Sequence, residues 1–286
     1  MKRLLLSALA LISFNALAQD LPQPSPFTTL EQRVGLTDFT VEYSRPAARG
    51  REIYGNLVPY GKLWRTGANK ATAISFNTPV SINGVDVEAG KYSIFSIPNE
   101  GEWTFILNSN TELYGTNGYE ESKDVLRFNV AEGDYGFCFS ESFHIGFDAV
   151  DGGKAKLIIS WAGKGIAIPI RVNVEEKAME NIENALSEAT EEDMWRVKRN
   201  AGAYYLRDLK KPAEGLAFIQ DAVKLKPDNW YNYYMLGEAQ YANGNKKEAL
   251  AAADKAMEVG LAEAKKAGAE FGYTDMVNEA KENWSK

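Results

Sequence analysis

The sequence predicts an α+β protein of two domains, an antiparallel β-sandwich or barrel followed by an α-helical domain. Between about residues 32 and 174, short β-branched and aromatic runs alternate with glycine-rich turns. Beyond residue 175, alanine, glutamate, lysine and leucine dominate, and apolar residues recur at helical spacing. The 286 residues suffice for two domains of ordinary size, which we place at residues 31–174 and 175–286.

Residues 1–18 have the pattern of a secretory signal peptide. Lys2 and Arg3 precede an apolar run at residues 4–14, and the Ala-Leu-Ala at residues 16–18 is an A-x-A cleavage site. The apolar run is shorter than the roughly 20 residues of a membrane-spanning helix, so we expect no transmembrane segment. We therefore expect an exported, periplasmic protein that begins at Gln19 after cleavage behind Ala18.

The β region follows a linker predicted at residues 19–30, which contains the extended sequence LPQPSP. Asn83-Gly84 is a strong hairpin signal between two of its strands. The alternation of polar and apolar residues is too imperfect to choose between a sandwich and a barrel. Strands are predicted at residues 38–43, 73–76, 80–82, 85–87, 92–97, 103–107, 125–130, 136–139, 143–147, 157–161 and 166–172.

The helical region contains a repeat of 34 residues, which relates Leu216 to Leu250. Residues 230–257 resemble a tetratricopeptide repeat, and residues 196–227 are a degenerate copy with Gly215 in place of alanine. Two repeats are fewer than the three that normally bury a core of this kind. Helices predicted at residues 177–188 and 273–284 would therefore act as caps, or the repeats would lean on the β domain.

Composition excludes several classes of function. The formal net charge of −7 argues against a general nucleic-acid surface. Cys138 and His144 are the only residues of their types, so we expect no intrachain disulfide, no metal site and no cofactor. We expect Cys138 to be a buried apolar residue and His144 to be a hydrogen-bonded structural one. The motifs G-x-S-x-G, H-E-x-x-H, G-x-G-x-x-G and the P-loop are missing from the sequence, and no residue is predicted to be catalytic.

The stretch at residues 43–72, here called the arginine segment, is the candidate binding region. It holds six cations against one acid, Glu52, and is rich in aromatic residues and glycines. Long irregular connections are usually functional or disordered, and this one is too aromatic to be disordered. Arginine forks match carboxylate and phosphate groups, so we predict a site for an anionic or polar small molecule. Its predicted residues are Arg45, Arg51, Tyr60, Trp64, Arg65, Thr66 and Asn69. Alternatively, these side chains tie an irregular loop to the sheet.

Several runs of the β region resemble the domain-of-unknown-function family 2911. They are YSRP at residues 43–46, GREIYG at 50–55, LVPYG at 57–61, WRTGAN at 64–69, AGKYSIFSIP at 89–98 and DVLR at 124–127. The resemblance covers about residues 26–174 and implies an exported bacterial protein with a sandwich-like domain, in some members followed by helical repeats. It implies no established activity. Some relatives carry an asparagine synthetase label, but Gln19 stands where that amidotransfer needs a nucleophilic cysteine.

Two functions remain open from the sequence. The first, which we favour, is a periplasmic binding or interaction protein whose β domain holds a small molecule or a glycan. Its helical tail would dock a partner protein through the aromatic residues Tyr204, Tyr205, Trp230, Tyr231 and Tyr234. Aromatic residues at helical spacing are more often core, and that is the alternative for most of these rings. The second is an envelope hydrolase with a carboxylate acid and base, for which the candidates are Glu52, Asp124, Glu141 and Asp148.

Overall fold

The computed structural model describes residues 21–133 and 140–286, which divide into two compact units. The first unit ends at Val172 and is built of strands, whereas the second begins at Asn173 and is helical. The predicted α+β division is therefore confirmed. The predicted signal peptide, Cys138 and the strand predicted at residues 136–139 lie outside the described residues.

Within the described residues, the first unit consists of two antiparallel sheets. In chain order the strands are β1 (Phe27–Val34), β2 (Thr37–Ser44), β3 (Ala68–Phe76), β4 (Val80–Ile82), β5 (Val85–Val87), β6 (Gly90–Pro98), β7 (Glu102–Asn108), β8 (Asp124–Ala131), β9 (His144–Asp151), β10 (Lys154–Trp161) and β11 (Lys164–Val172). One sheet has the order β1-β2-β3-β6-β7-β8 and the other the order β5-β4-β11-β10-β9. Their facing side chains form one continuous core, so the unit is a sandwich rather than a barrel.

Strand β1 is an element that the sequence analysis assigned in part to a linker. It pairs with β2 from Phe27 opposite Ser44 to Val34 opposite Thr37. As the edge strand it buries only Val34 completely, and its other residues alternate between exposed and half-buried positions. Such a strand lacks the apolar run by which buried strands are recognised, which explains why it was missed.

The outer face of the six-stranded sheet is also covered. Phe95 of β6 and Ile106 of β7 point away from the inner core and form a second cluster with Ala71 and Leu113. The arginine segment lies between β2 and β3, and Trp64 exchanges two backbone hydrogen bonds with Ser96 of β6, at 2.8 and 2.9 Å. This bridge fixes the segment against the sheet.

Residues 173–286, all of which the structure describes, form helices α1 (Val174–Glu188), α2 (Met194–Arg207), α3 (Pro212–Leu225), α4 (Trp230–Ala242), α5 (Lys246–Lys266) and α6 (Thr274–Ser285). Asn173 and Asn229 cap α1 and α4 through their side-chain oxygens. Helices α2 and α3 approach closely at Gly202 and Gly215, where the lack of side chains permits it. A Cβ on Gly215 would lie only 2.9 Å from the Gly202 carbonyl oxygen. The tetratricopeptide assignment stays a prediction. No helix in the described ranges combines the length and apolar character needed to span a membrane.

Candidate functional site

A cavity of about 410 Å³ lies against the arginine segment in the first unit. Its volume is within the range of small-molecule sites, about 300–1,000 Å³. Four predicted site residues line it, namely Arg51, Trp64, Arg65 and Asn69. The remaining lining residues are Pro24, Ser25, Pro46, Ala47, Arg49, Leu57, Val58, Gly67, Ala68 and Trp161.

The cavity wall next to β3 is built from left-handed backbone. Thr66 and Asn69 have φ values of 51° and 59°, and Gly67 between them has φ 147°. Non-glycine residues rarely adopt positive φ and persist there only when their surroundings hold them. The buried Thr66 hydroxyl bonds the Ser96 hydroxyl at 2.9 Å, and the Thr72 hydroxyl donates to the Thr66 carbonyl oxygen. These bonds fix the backbone that carries Arg65.

Two stacked indoles form the inner end of the cavity. The rings of Trp64 and Trp161 lie 6.2 Å apart at an angle of 19°, and Phe143 packs edge-on against both. The Trp64 ring N–H donates to the Gly67 carbonyl oxygen at 3.1 Å, and that of Trp161 donates to the Glu141 carbonyl oxygen at 3.2 Å. Trp64 is only 7% exposed and Trp161 only 1%. Neither ring therefore presents an open face or a free N–H to a ligand.

Two of the three arginines that line the cavity also bind backbone carbonyls. Arg51 donates from Nε to the Ala48 oxygen at 3.0 Å and from Nη2 to the Ala47 oxygen at 2.6 Å. Arg49 donates from Nη2 to the Pro24 oxygen at 3.0 Å. These bonds tie Arg51 to its own segment and Arg49 to the stretch before β1, and they are of the loop-tying kind that is the alternative to ligand binding.

Arg65 differs from both. It is half-buried, and its Nε is fully buried without a hydrogen-bond partner in the described residues. Burial holds the pKa of the Arg65 guanidinium below its ordinary value, and only the Tyr114 hydroxyl opposes that shift. No Asp or Glu occurs among the described residues that line the cavity. Within the described residues, this cation is therefore desolvated without a counter-charge at the cavity.

The structure does not place Arg45, Tyr60 and Thr66 at the cavity. Arg45 donates from Nε to the Phe143 carbonyl oxygen at 3.0 Å. The Tyr60 hydroxyl accepts from Lys164 Nζ at 3.2 Å. Thr66 points into the protein, where it supports the backbone. In an irregular segment, side-chain direction follows from turns and partners rather than from a repeating period, so sequence spacing could not separate these three from the others.

Sequence reasoning also missed several lining residues. Trp161 comes from the end of β10, and Pro24 and Ser25 come from the stretch predicted as linker. Arg49 lies in the arginine segment and was counted among its cations, but no local signal distinguished it. Pro24 and Pro26, on either side of Ser25, were the available sign of a rigid wall.

The carboxylates proposed for a hydrolase do not line the cavity. Glu52 and Asp148 are exposed, and Glu141 accepts from the Arg49 backbone N–H at 2.7 Å. Asp124 belongs to a separate network in which the Tyr119 hydroxyl donates to its carboxylate at 2.7 Å. In the described ranges, no three His, Cys, Asp or Glu side chains converge as a metal-binding group.

His144 lies on β9 and is half-buried. Burial, and then the positive charge of Arg45, lower the pKa of this histidine below its ordinary value. The folded protein therefore holds His144 in its neutral form near pH 7.

Comparison with known families gives one match. The family described as Protein of unknown function (DUF2911) matches residues 25–170, slightly more than half of the chain. The matched range spans both sheets and every residue that lines the cavity except Pro24. No curated protein matches the chain.

Proposed function

Since the chain belongs to the DUF2911 family, whose description names no ligand or reaction, we propose a function from the cavity itself. The β domain binds a small organic anion, and the protein is an exported, periplasmic binding protein. Arg65 supplies the main contact to the anion, and Arg49 and Arg51 supply surrounding positive charge.

The observation that carries this proposal is the half-buried guanidinium of Arg65, whose buried Nε has no hydrogen-bond partner among the described residues. A buried donor without an acceptor costs about 1–3 kcal/mol, and more when the group is charged. An anion in the cavity would neutralise the guanidinium and accept hydrogen bonds from its terminal nitrogens, which would offset the cost of desolvating the charge. Arginine forks bind carboxylates and phosphates with two parallel hydrogen bonds, which adds geometric selectivity.

The other lining residues narrow the class of ligand. Leu57, Val58, Pro46 and Ala68 give the cavity apolar walls, which favour an anion that carries an apolar body. Binding of a neutral glycan would need an exposed aromatic face for stacking, and the burial of Trp64 and Trp161 argues against it. An amphiphilic carboxylate is therefore the ligand class that suits the cavity best.

Benzoate is a suitable probe because it combines a carboxylate with an apolar ring. Acetate retains the charge without the ring, and benzamide retains the shape without the charge. We expect benzoate to raise the melting temperature more than acetate, and benzamide to have little effect. Stabilisation by a ligand follows RT ln(1 + [L]/Kd), so about 1.4 kcal/mol is expected at ten times the Kd.

Variants identify the residue responsible. Arg65→Gln should weaken benzoate binding by roughly 10- to 100-fold, since a charge-assisted hydrogen bond contributes about 1.5–3 kcal/mol. Arg171→Gln is the matched control, because Arg171 is an exposed arginine of the same unit near the far end of β11. Equal binding by wild type and a folded Arg65→Gln variant, or equal effects of benzoate and benzamide, would remove the anion site.

The proposal for the whole chain adds export and a docking role for the helical unit. Export is supported by the three-part pattern of residues 1–18. It is tested by N-terminal sequencing of the protein recovered from the periplasm, which should begin at Gln19. Docking by tetratricopeptide-like hairpins is supported by the likeness of residues 230–257 to such a repeat and by Tyr231 on α4, which packs against the core but stays partly exposed. A partner that binds the full chain but not a Tyr231→Ala variant would support this role, and equal binding to both would contradict it. No observation favours the hydrolase.

A further inference from the structure

Residues 21–26, here called the strap, form a wall of the cavity rather than a free tether. Pro22, Pro24 and Pro26 alternate with other residues, so every second residue lacks a backbone N–H. Such a segment cannot extend the ladder of a sheet, and the strap bends at Pro24 and Ser25. Strand β1 accordingly begins directly after the strap, at Phe27.

Three consecutive carbonyl oxygens attach the strap to the arginine segment. Pro26 O accepts from the Arg45 backbone N–H at 2.9 Å, and Ser25 O accepts from Asn69 Nδ2 at 3.3 Å. Pro24 O accepts from Arg49 Nη2 at 3.0 Å. Pro24 and Ser25 both line the cavity, so the cavity is complete only while these bonds hold the strap in place.

Two of these anchors also face the cavity. Arg49 and Asn69 line it, and each holds the strap through a side-chain donor. A guanidinium has five N–H donors, and the bond to Pro24 occupies one of them. Arg49 can therefore bind an anion in the cavity and keep its bond to the strap at the same time.

We propose that the strap is the closing wall of the anion site, so that anion binding and docking of the strap stabilise each other. This inference rests on the proposed function of the same cavity. An anion that contacts Arg49 restricts its long side chain to the rotamer that also holds Pro24, so the loss of side-chain entropy is shared between the two events. The negative charge of the bound anion also offsets the repulsion among Arg49, Arg51 and Arg65, the three cations beside the strap. Coupling of this kind is reciprocal: the factor by which docking of the strap tightens anion binding is also the factor by which a bound anion favours docking.

The test uses benzoate and the full chain. In the double variant Pro22→Gly/Pro26→Gly the carbonyl acceptors and every residue that lines the cavity remain, and the stiffness of the strap is reduced. Each replacement adds freedom to the undocked strap, so we expect the Kd of benzoate, measured by calorimetry, to rise by roughly five- to thirty-fold. Pro79→Gly, an exposed proline of the loop between β3 and β4, is the control and should leave the Kd unchanged.

A second measurement follows the strap itself. Phe27 is 64% exposed at the start of β1, and chymotrypsin can cut after it once the strap and the first pair of β1 residues open. Benzoate should slow this cleavage in the wild type and protect the double variant less. The appearance of the product is followed by mass spectrometry.

The possible results separate the strap from the anion site. If benzoate binds the wild type through Arg65 but the double variant binds it equally well, the strap inference is refuted and the anion site stands. A loss of affinity in Pro79→Gly as large as that in the double variant refutes the strap inference as well. If benzoate does not bind the wild type, the proposed function fails, and the coupling fails with it.

Discussion

Gly67→Ala is expected to destabilise the first unit far more than Gly50→Ala, although both glycines lie in the arginine segment. A Cβ on Gly67 would lie 2.9 Å from Thr72 Oγ1 and 3.2 Å from the Ser44 carbonyl oxygen. The Thr72 side chain cannot move aside easily, because it is fully buried and its hydroxyl donates to the Thr66 carbonyl oxygen. Around Gly50, no atom of the described residues, apart from the glycine and its chain neighbours, lies within 4 Å of the corresponding position.

The magnitude follows from two separate penalties. A residue with a side chain at the Gly67 φ of 147° is strained by about 1–3 kcal/mol. Overpacking of a buried site adds about 1–3 kcal/mol, and the lower entropy of the unfolded alanine chain returns about 0.4–1 kcal/mol. We therefore expect a net loss of about 2–5 kcal/mol for Gly67→Ala. Gly50 has φ 70° and open space around it, so Gly50→Ala should lose only the about 1–2 kcal/mol that left-handed backbone costs a residue with a side chain. The lower entropy of the unfolded alanine chain again returns part of this loss.

The assay must report on the first unit alone, because two units need not unfold together. Hydrogen exchange of peptides from β3 and β6, followed by mass spectrometry across a urea series, gives the free energy of unfolding of this unit. A Gly67→Ala variant within about 1 kcal/mol of Gly50→Ala would refute the close approach of Gly67 to Ser44 and Thr72 on which the estimate depends.

Three further predictions follow from other parts of the molecule. Burial, and then the hydrogen bond to Asp124, raise the pKa of Tyr119 to about 12. The resulting stability is present below the ordinary tyrosine pKa of 10.0 and is lost as pH rises toward 12, so urea unfolding of Tyr119→Phe should show a weaker alkaline loss than wild type. His144 has a lowered pKa, so its contribution is present above the ordinary value of 6.5 and is lost as pH falls, and His144→Gln should flatten the stability profile between about pH 7 and 5. A Cβ on Gly237 would lie 2.4 Å from the Trp284 ring, so Gly237→Ala should cost about 1–2 kcal/mol after the gain in helix propensity and should speed hydrogen exchange in α6.

Each of these predictions has an outcome that contradicts it. If the free energy of unfolding of Tyr119→Phe falls at alkaline pH as steeply as that of wild type, the Tyr119 hydroxyl does not cause the loss of stability. If the free energy of unfolding of His144→Gln falls with decreasing pH as steeply as that of wild type, groups other than His144 cause the loss. Unaltered exchange in α6 of Gly237→Ala would mean that the Trp284 ring moves aside without loosening the helix.

Much of the fold follows from local signals in the sequence. Strands β4 and β5 coincide with the predicted residues 80–82 and 85–87, because Asn83-Gly84 permits few conformations other than a tight hairpin turn. The change to helices beyond β11 was visible because apolar residues pass from short runs to helical spacing. Strand β1 escaped notice, because its pairing with β2 at the sheet edge requires little burial of its own side chains.

The candidate site was predictable only in part. The arginine segment does border a cavity, and its concentration of cations is a property of composition that needs no coordinates. Which of those cations remain unpaired depends on carbonyl acceptors from other parts of the chain. The Phe143 carbonyl oxygen accepts a hydrogen bond from Arg45, and the Pro24 carbonyl oxygen accepts one from Arg49. Both acceptors are remote in sequence from the arginines that donate to them.

The sequence by itself determined the division into strands and helices, the hairpins with strong turn residues and the positive charge of residues 43–72. These properties depend on neighbouring residues, whose steric and periodic preferences act over a few positions. Only the tertiary structure decided that Arg65 is desolvated without a partner among the described residues, that the Trp64 and Trp161 rings beside the cavity are buried, and that the strap completes the cavity. Those features depend on hydrogen bonds and packing between segments far apart in the chain, and a linear pattern carries no information about which distant carbonyl reaches which guanidinium.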